Sequence, residues 1–201
     1  MLKCTAGRLW RSPRGFTLVE QMFTLGLLVT VSAIAVPLLS NAVENQRLGM
    51  EARNVEREMQ LARLNAVATN RPIRLRFNCP AVGNYRRVEV IGSINNPNTG
   101  DDADNRAATR CNATSYPYPA ADADPLTRPN NDGPIMRLNS KVTFMSVQTL
   151  EFWPNGTVHV YSATNGQPWP QIGSNPVNIL LAQSATTRSV TVNTLGKTQI
   201  Q

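Results

Sequence analysis

"RSPRGFTLVEQMFTLGLLVTVSAIAVPLL", residues 11–39, decides how the rest of this chain is read. It opens with Arg11 and Arg14, meets Gly15, and then runs apolar from Phe16 to Leu39 with a single charge, Glu20. Such a run is long enough to cross a bilayer core, which takes about 20 residues of helix. A carboxylate inside it costs about 2–3 kcal/mol near the helix centre and less toward an end. Two readings compete. In one, the run is the core of a secretory signal, removed after Ala33-Ile34-Ala35 to release a soluble binding domain that begins near Val36. In the other, the cut falls between Gly15 and Phe16 and the helix is kept. Glu20 favours the second, because a discarded segment loses insertion free energy to a carboxylate and gains nothing from it.

The composition agrees with one domain plus an appendage, given 201 residues. The formal charge is +7, but Lys3, Arg8, Arg11 and Arg14 supply four of those charges ahead of Gly15, leaving +3 for the rest. The basic balance is therefore mainly that of a leader held on the cytoplasmic side, and it argues only weakly for a nucleic-acid partner. Cys4 lies in that leader, so removing it leaves Cys79 and Cys111, an even count that suits one disulfide in an oxidising compartment. Closing that loop would contribute about 3–4 kcal/mol in the chain-entropy model.

Beyond Leu39 the apolar residues narrow to a stripe. Leu48, Ala52, Val55, Met59, Ala62 and Ala66 recur at steps of four and three, with charges mostly on the other faces. Asn70 and Arg71-Pro72 end the pattern, since the residue before proline avoids helical geometry. Residues 16–71 thus read as one helix about 80 Å long, with a kink expected at Pro37. After Pro72 the period becomes two at Ile73, Leu75 and Phe77, then Val88, Val90 and Ile91. Strands are expected at Val142 to Val147, in the hairpin "LEFWPNGTVHVY" (150–161), in "VNILLA" (177–182) and in "RSVTVNTLGKTQI" (188–200), which turns near Leu195-Gly196. Residues 92–134 show almost no apolar period and read as a long loop. The fold class is α+β: a long N-terminal helix packed on an antiparallel β-sheet domain.

At this point the residues carry a resemblance. "RGFTLVEQMFTLGLLVTVSAIAVP" resembles the amino terminus of type IV pilins and pseudopilins. The resemblance implies a prepilin peptidase cut between Gly15 and Phe16, with Phe16 becoming the N-methylated first residue. It implies that Glu20 pairs with the terminal amine of a neighbouring subunit during assembly, and that Pro37 bends the helix. "ARLNAVATNRPIRLRF", "LEFWPNGTV" and "RSVTVNTLGKTQI" resemble the helix end, first strand, hairpin and terminal strands of the GspH/FimT group of minor pilins. The implied division is a leader (1–15), a transmembrane half-helix (16–39), an amphipathic half-helix (40–71) and a periplasmic sheet domain (72–201) carrying loop 92–134. The implied protein is a single-pass inner-membrane subunit of a type IV pilus or type II secretion pseudopilus. Its expected partners are other pilins or pseudopilins, the prepilin peptidase and an assembly-platform protein; no cofactor is expected.

Other constellations are weaker. His159 is the only histidine and has no Cys or His at metal-ligand spacing, so it reads as a satisfied sheet residue. No G-x-S-x-G or other nucleophile pattern stands out, so no enzyme is expected. "DDADN" (101–105) offers Asp101, Asp102 and Asp104 as a calcium candidate, but without the distal glutamate of an EF-hand it reads foremost as a solvated acidic loop. A DNA-binding minor pilin is the alternative function, with Arg188 and Lys197 as phosphate contacts, joined by Arg86, Arg87 and Arg137 if these cluster.

Overall fold

The computed structural model describes residues 15–90, 110–119, 132–161 and 169–201. It divides into two compact units, Met1–Val43 and Glu44–Gln201. Helix α1 spans Leu18–Thr69, 52 residues, with Pro37 inside it. In the first unit this helix is exposed throughout, and none of its most apolar window is buried. It is long and apolar enough to cross a membrane.

Within the second unit α1 buries the expected stripe. Leu48, Ala52, Val55, Met59, Ala62 and Ala66 are all fully buried. Three alanines among the six let strands approach the helix backbone, while Leu48, Val55 and Met59 each contribute about 2 kcal/mol of apolar burial. The helix stops at a left-handed residue, Asn70, with φ 53°. The Arg71 N–H then donates to the Ala66 carbonyl at 3.3 Å, which closes the last turn in Schellman fashion. Asparagine tolerates that backbone better than most residues, and Pro72 prevents the helix from resuming.

Two antiparallel sheets cover the stripe. The larger has the order β3-β2-β1-β5-β6, from β1 (Ile73–Phe77), β2 (Asn84–Glu89), β3 (Met136–Arg137), β5 (Leu150–Phe152) and β6 (Val158–Val160). The smaller has the order β4-β7-β8-β9, from β4 (Thr143–Ser146), β7 (Val177–Gln183), β8 (Thr186–Val192) and β9 (Thr198–Ile200). The α+β class is as expected, with the sheet residues divided between two sheets. Ile73, Leu75 and Phe77 face the helix together with Tyr85, Leu150, Phe152 and Val158, and Ile179, Leu181, Val190 and Val192 join them in one core. Phe77, Tyr85 and Phe144 pack as a tilted and edge-on trio with ring centroids 5.1–6.3 Å apart.

Differences from expectation are local. β2 starts at Asn84, directly after Gly83 (φ 81°), and so takes in Arg86 and Arg87. β7 and β8 form a hairpin of their own, paired from Val177↔Val192 to Gln183↔Thr186, with Ser184 at φ 52° in the turn. The β5–β6 hairpin and the β8–β9 turn fall where expected, at Gly156 (φ 82°) and Gly196 (φ 70°). Of the expected loop, residues 110–119 and 132–134 are described; the calcium candidates Asp101, Asp102 and Asp104 lie outside the described residues.

Leu75 is fully buried at the centre of this core. Leu75→Ala is expected to destabilise the domain by about 3 kcal/mol, read as a lower urea midpoint at unchanged slope. Loss below about 1 kcal/mol would mean the helix and sheets do not pack as described.

Candidate assembly site

The helix start is built by its own sequence. Gly15, Phe16 and Thr17 are non-helical, and α1 begins at Leu18. Thr17 Oγ1 accepts the Glu20 N–H at 3.2 Å, and the Thr17 carbonyl accepts the Gln21 N–H at 3.1 Å. Thr17 is therefore the N-cap and Glu20 the N3 residue, the Thr-x-x-Glu spacing of a capping box. Glu20 also stands in the first turn, where the positive end of the helix dipole favours a carboxylate. The Gly15–Phe16 bond thus lies in irregular backbone two residues ahead of a capped helix, and Phe16 is 74% exposed. Among the described residues no atom comes within 4 Å of a Cβ built at Gly15.

The outer face of the larger sheet carries buried charge rather than solvent-facing polar residues. Arg74 stands opposite Glu151, and Glu151 opposite His159. Arg74 donates to Glu151 Oε2 at 2.9 and 2.7 Å and lies 4.0 Å over the Trp169 ring. Trp153 Nε1 donates to Glu151 Oε1 at 2.7 Å, and its ring stacks on His159 at 4.0 Å. His159 Nδ1–H donates to the Trp169 carbonyl at 3.0 Å, and Nε2 lies 2.9 Å from the Thr157 hydroxyl, which donates to Asn155 Oδ1 at 2.6 Å. Burial pushes the His159 pKa down, with the Trp169 hydrogen bond and Glu151 pulling the other way.

The disulfide joins Cys79, beyond β1, to Cys111, as expected from the cysteine count. It ties residues 110–116 beside β2, and Arg86 completes the attachment. Arg86 donates to three main-chain carbonyls, those of Gly133 (2.8 Å), Arg110 (2.6 Å) and Tyr116 (2.8 Å). Arg110 pairs with Asp132, whose other contact is the Glu89 N–H at 2.8 Å. Burial raises the Asp132 carboxyl and lowers the Arg86 guanidinium, and Arg110 opposes the first shift. On the helix-facing side Arg87 pairs with Glu58 of α1, and Arg71 with Glu89.

These contacts correct part of the nucleic-acid reading. Arg86 and Arg87 are buried and held by carbonyls and by Glu58, so neither meets a phosphate. Arg188 and Lys197 are exposed but stand apart. Arg188 is four residues before Val192, the partner of Thr198, or about 13 Å along the strand. Arg137 is exposed on β3 and donates to Asn84 Oδ1. Among the described residues no group of three His, Cys, Asp or Glu side chains could hold a metal ion. The capping role of Thr17 was missed in the sequence, although Thr-x-x-Glu before an apolar run is its signal. Searches of family models, of curated proteins and of solved structures find no match to this chain.

The lowered His159 pKa sets a pH dependence. The folded chain holds the ring neutral below the unfolded value of about 6.5, where the unfolded chain takes up a proton. Stability is therefore full above that value and is lost as pH falls through the folded value. Melting temperatures measured between about pH 7.5 and 5 should fall less in His159→Gln than in the parent; equal slopes would contradict this account.

Proposed function

We propose that this chain is a minor pilin or pseudopilin of the GspH/FimT type, an assembly subunit rather than an enzyme. A prepilin peptidase removes residues 1–15 and leaves Phe16 as a methylated first residue. The subunit waits in the inner membrane with its leader end in the cytoplasm and residues 72–201 in the periplasm. It then enters a type IV pilus or type II secretion pseudopilus near the tip or initiation complex. The observation that carries this reading is the helix start, where a single carboxylate stands at the N3 position of a helix whose first part, residues 18–43, has no other charge and is exposed throughout. That location lowers the cost of placing Glu20 in lipid and leaves it four residues from the new Phe16 amine. The disulfide supports an oxidising compartment for the sheet domain. A DNA-binding role has less support, since two of its five cations are buried and engaged.

Two substitutions separate the charge of Glu20 from its bulk. Glutamine keeps the size and hydrogen-bonding capacity of the side chain and removes its charge, whereas alanine removes both. If the charge pairs with a neighbouring amine, Glu20→Gln and Glu20→Ala are both processed at Gly15 yet both fall out of the sheared filament fraction. Wild-type incorporation of Glu20→Gln would show that assembly does not need the charge, and the pairing role would be wrong.

A further inference from the structure

A second stripe runs along α1 on the side away from the core. Gln46, Met50, Arg53, Arg57, Gln60, Leu64 and Val67 follow steps of four and three and are all exposed. This is the spacing with which one helix meets another. It contains no acid. Its apolar members Met50, Leu64 and Val67 are 56, 64 and 54% exposed, with the two arginines between them. Where the stripe passes the β8–β9 turn, a groove of about 730 Å³ is lined by Gln60, Arg63, Leu64, Val67, Gly196 and Lys197, among others. Gly196 is what admits Arg63, since a Cβ there would come within 2.8 Å of Arg63 Cδ.

The cations on this face, like exposed Arg137, Lys141 and Arg188 elsewhere in the domain, are not matched by carboxylates among the described residues. Arg71, Arg74, Arg87 and Arg110 each hold a carboxylate. Among the described residues Arg53, Arg57, Arg63 and Lys197 are in no ion pair. Two copies joined in register through this stripe would set Arg57 against Arg57, which like-charge repulsion disfavours. A phosphate backbone would satisfy the arginines but leave Met50, Leu64 and Val67 in water. We infer that this face docks a helix of a different polypeptide, one that is apolar toward its ends and carries carboxylates opposite Arg53 and Arg57. The inference rests on the assembly reading and adds to it that the neighbour on this side is an acidic, non-identical subunit.

The test uses the full chain in detergent micelles and three labelled probes. The first is a helical peptide of about three heptads with leucines at its ends and glutamates at its centre; the second replaces those glutamates with lysine; the third is a short duplex DNA. The acidic peptide should bind, Arg53→Glu with Arg57→Glu should weaken it about tenfold, and Leu64→Asn should also weaken it. Lys141→Glu, a change to an exposed cation elsewhere, should leave binding as it was. Equal binding of the two peptides would overturn the inference, as would equally tight binding of duplex DNA through the same arginines. Self-association of the chain that is lost in the double variant would overturn it in favour of a second copy. None of these readouts depends on cleavage after Gly15, so failure of the docking face and failure of the assembly reading are told apart.

Discussion

The contact on which the domain depends is that between one narrow apolar stripe of α1 and the inner faces of two sheets. Among the described residues, Leu48, Ala52, Val55, Met59, Ala62 and Ala66 give the only helical surface available to residues from both β1–β5–β6 and β7–β8. Neither sheet could bury its apolar face alone, and the helix supplies the shared layer. The same helix is apolar all round before the stripe begins and amphipathic within it. That change of pattern along one continuous element is the physical signature of a segment made for two environments.

Around this core the larger sheet buries charge on the face that antiparallel sheets commonly leave to solvent. The outer face of the larger sheet buries Arg74, Arg86, Glu151 and His159, and each is held by hydrogen bonds or an ion pair. Buried pairs of this kind add little net stability, because desolvation offsets most of their attraction, but breaking one is costly. Their consequence is positional. Arg86 accepts only a backbone that brings three carbonyls to one guanidinium, and residues 110–116 and Gly133 do so with the disulfide at their side. The covering segments are thus fixed by satisfied polar groups in a region with few apolar contacts to offer.

Much of the fold was legible because it rests on period. The helix stripe, the alternation at Ile73, Leu75 and Phe77, the Pro-Asn-Gly hairpin and the terminal turn all carry local signals strong enough to read alone. The disulfide was legible from cysteine count once the leader was set aside. β3 was not, because two residues have no period. The β7–β8 turn was not, because Ser184 takes a left-handed conformation without glycine or asparagine to announce it. Arg86 and Arg87 fall on opposite faces of β2 and carry no apolar signal in sequence; they are buried because residues distant in the chain cover one and a helix glutamate meets the other. The candidate site was half legible. The Gly-Phe-Thr-Leu-Val-Glu start drew attention to Glu20 and not to Thr17, whose hydroxyl caps the helix by accepting the Glu20 N–H.

The central claim is that the apolar helix is retained and that cleavage comes before it. The most direct measurement is the amino terminus of the processed chain, by peptide mass spectrometry on membrane fractions. The account predicts a chain that starts at Phe16 and carries an added methyl group on its amine. A chain that starts near Val36 would contradict it, because the helix start with its capped glutamate would then be part of a discarded signal.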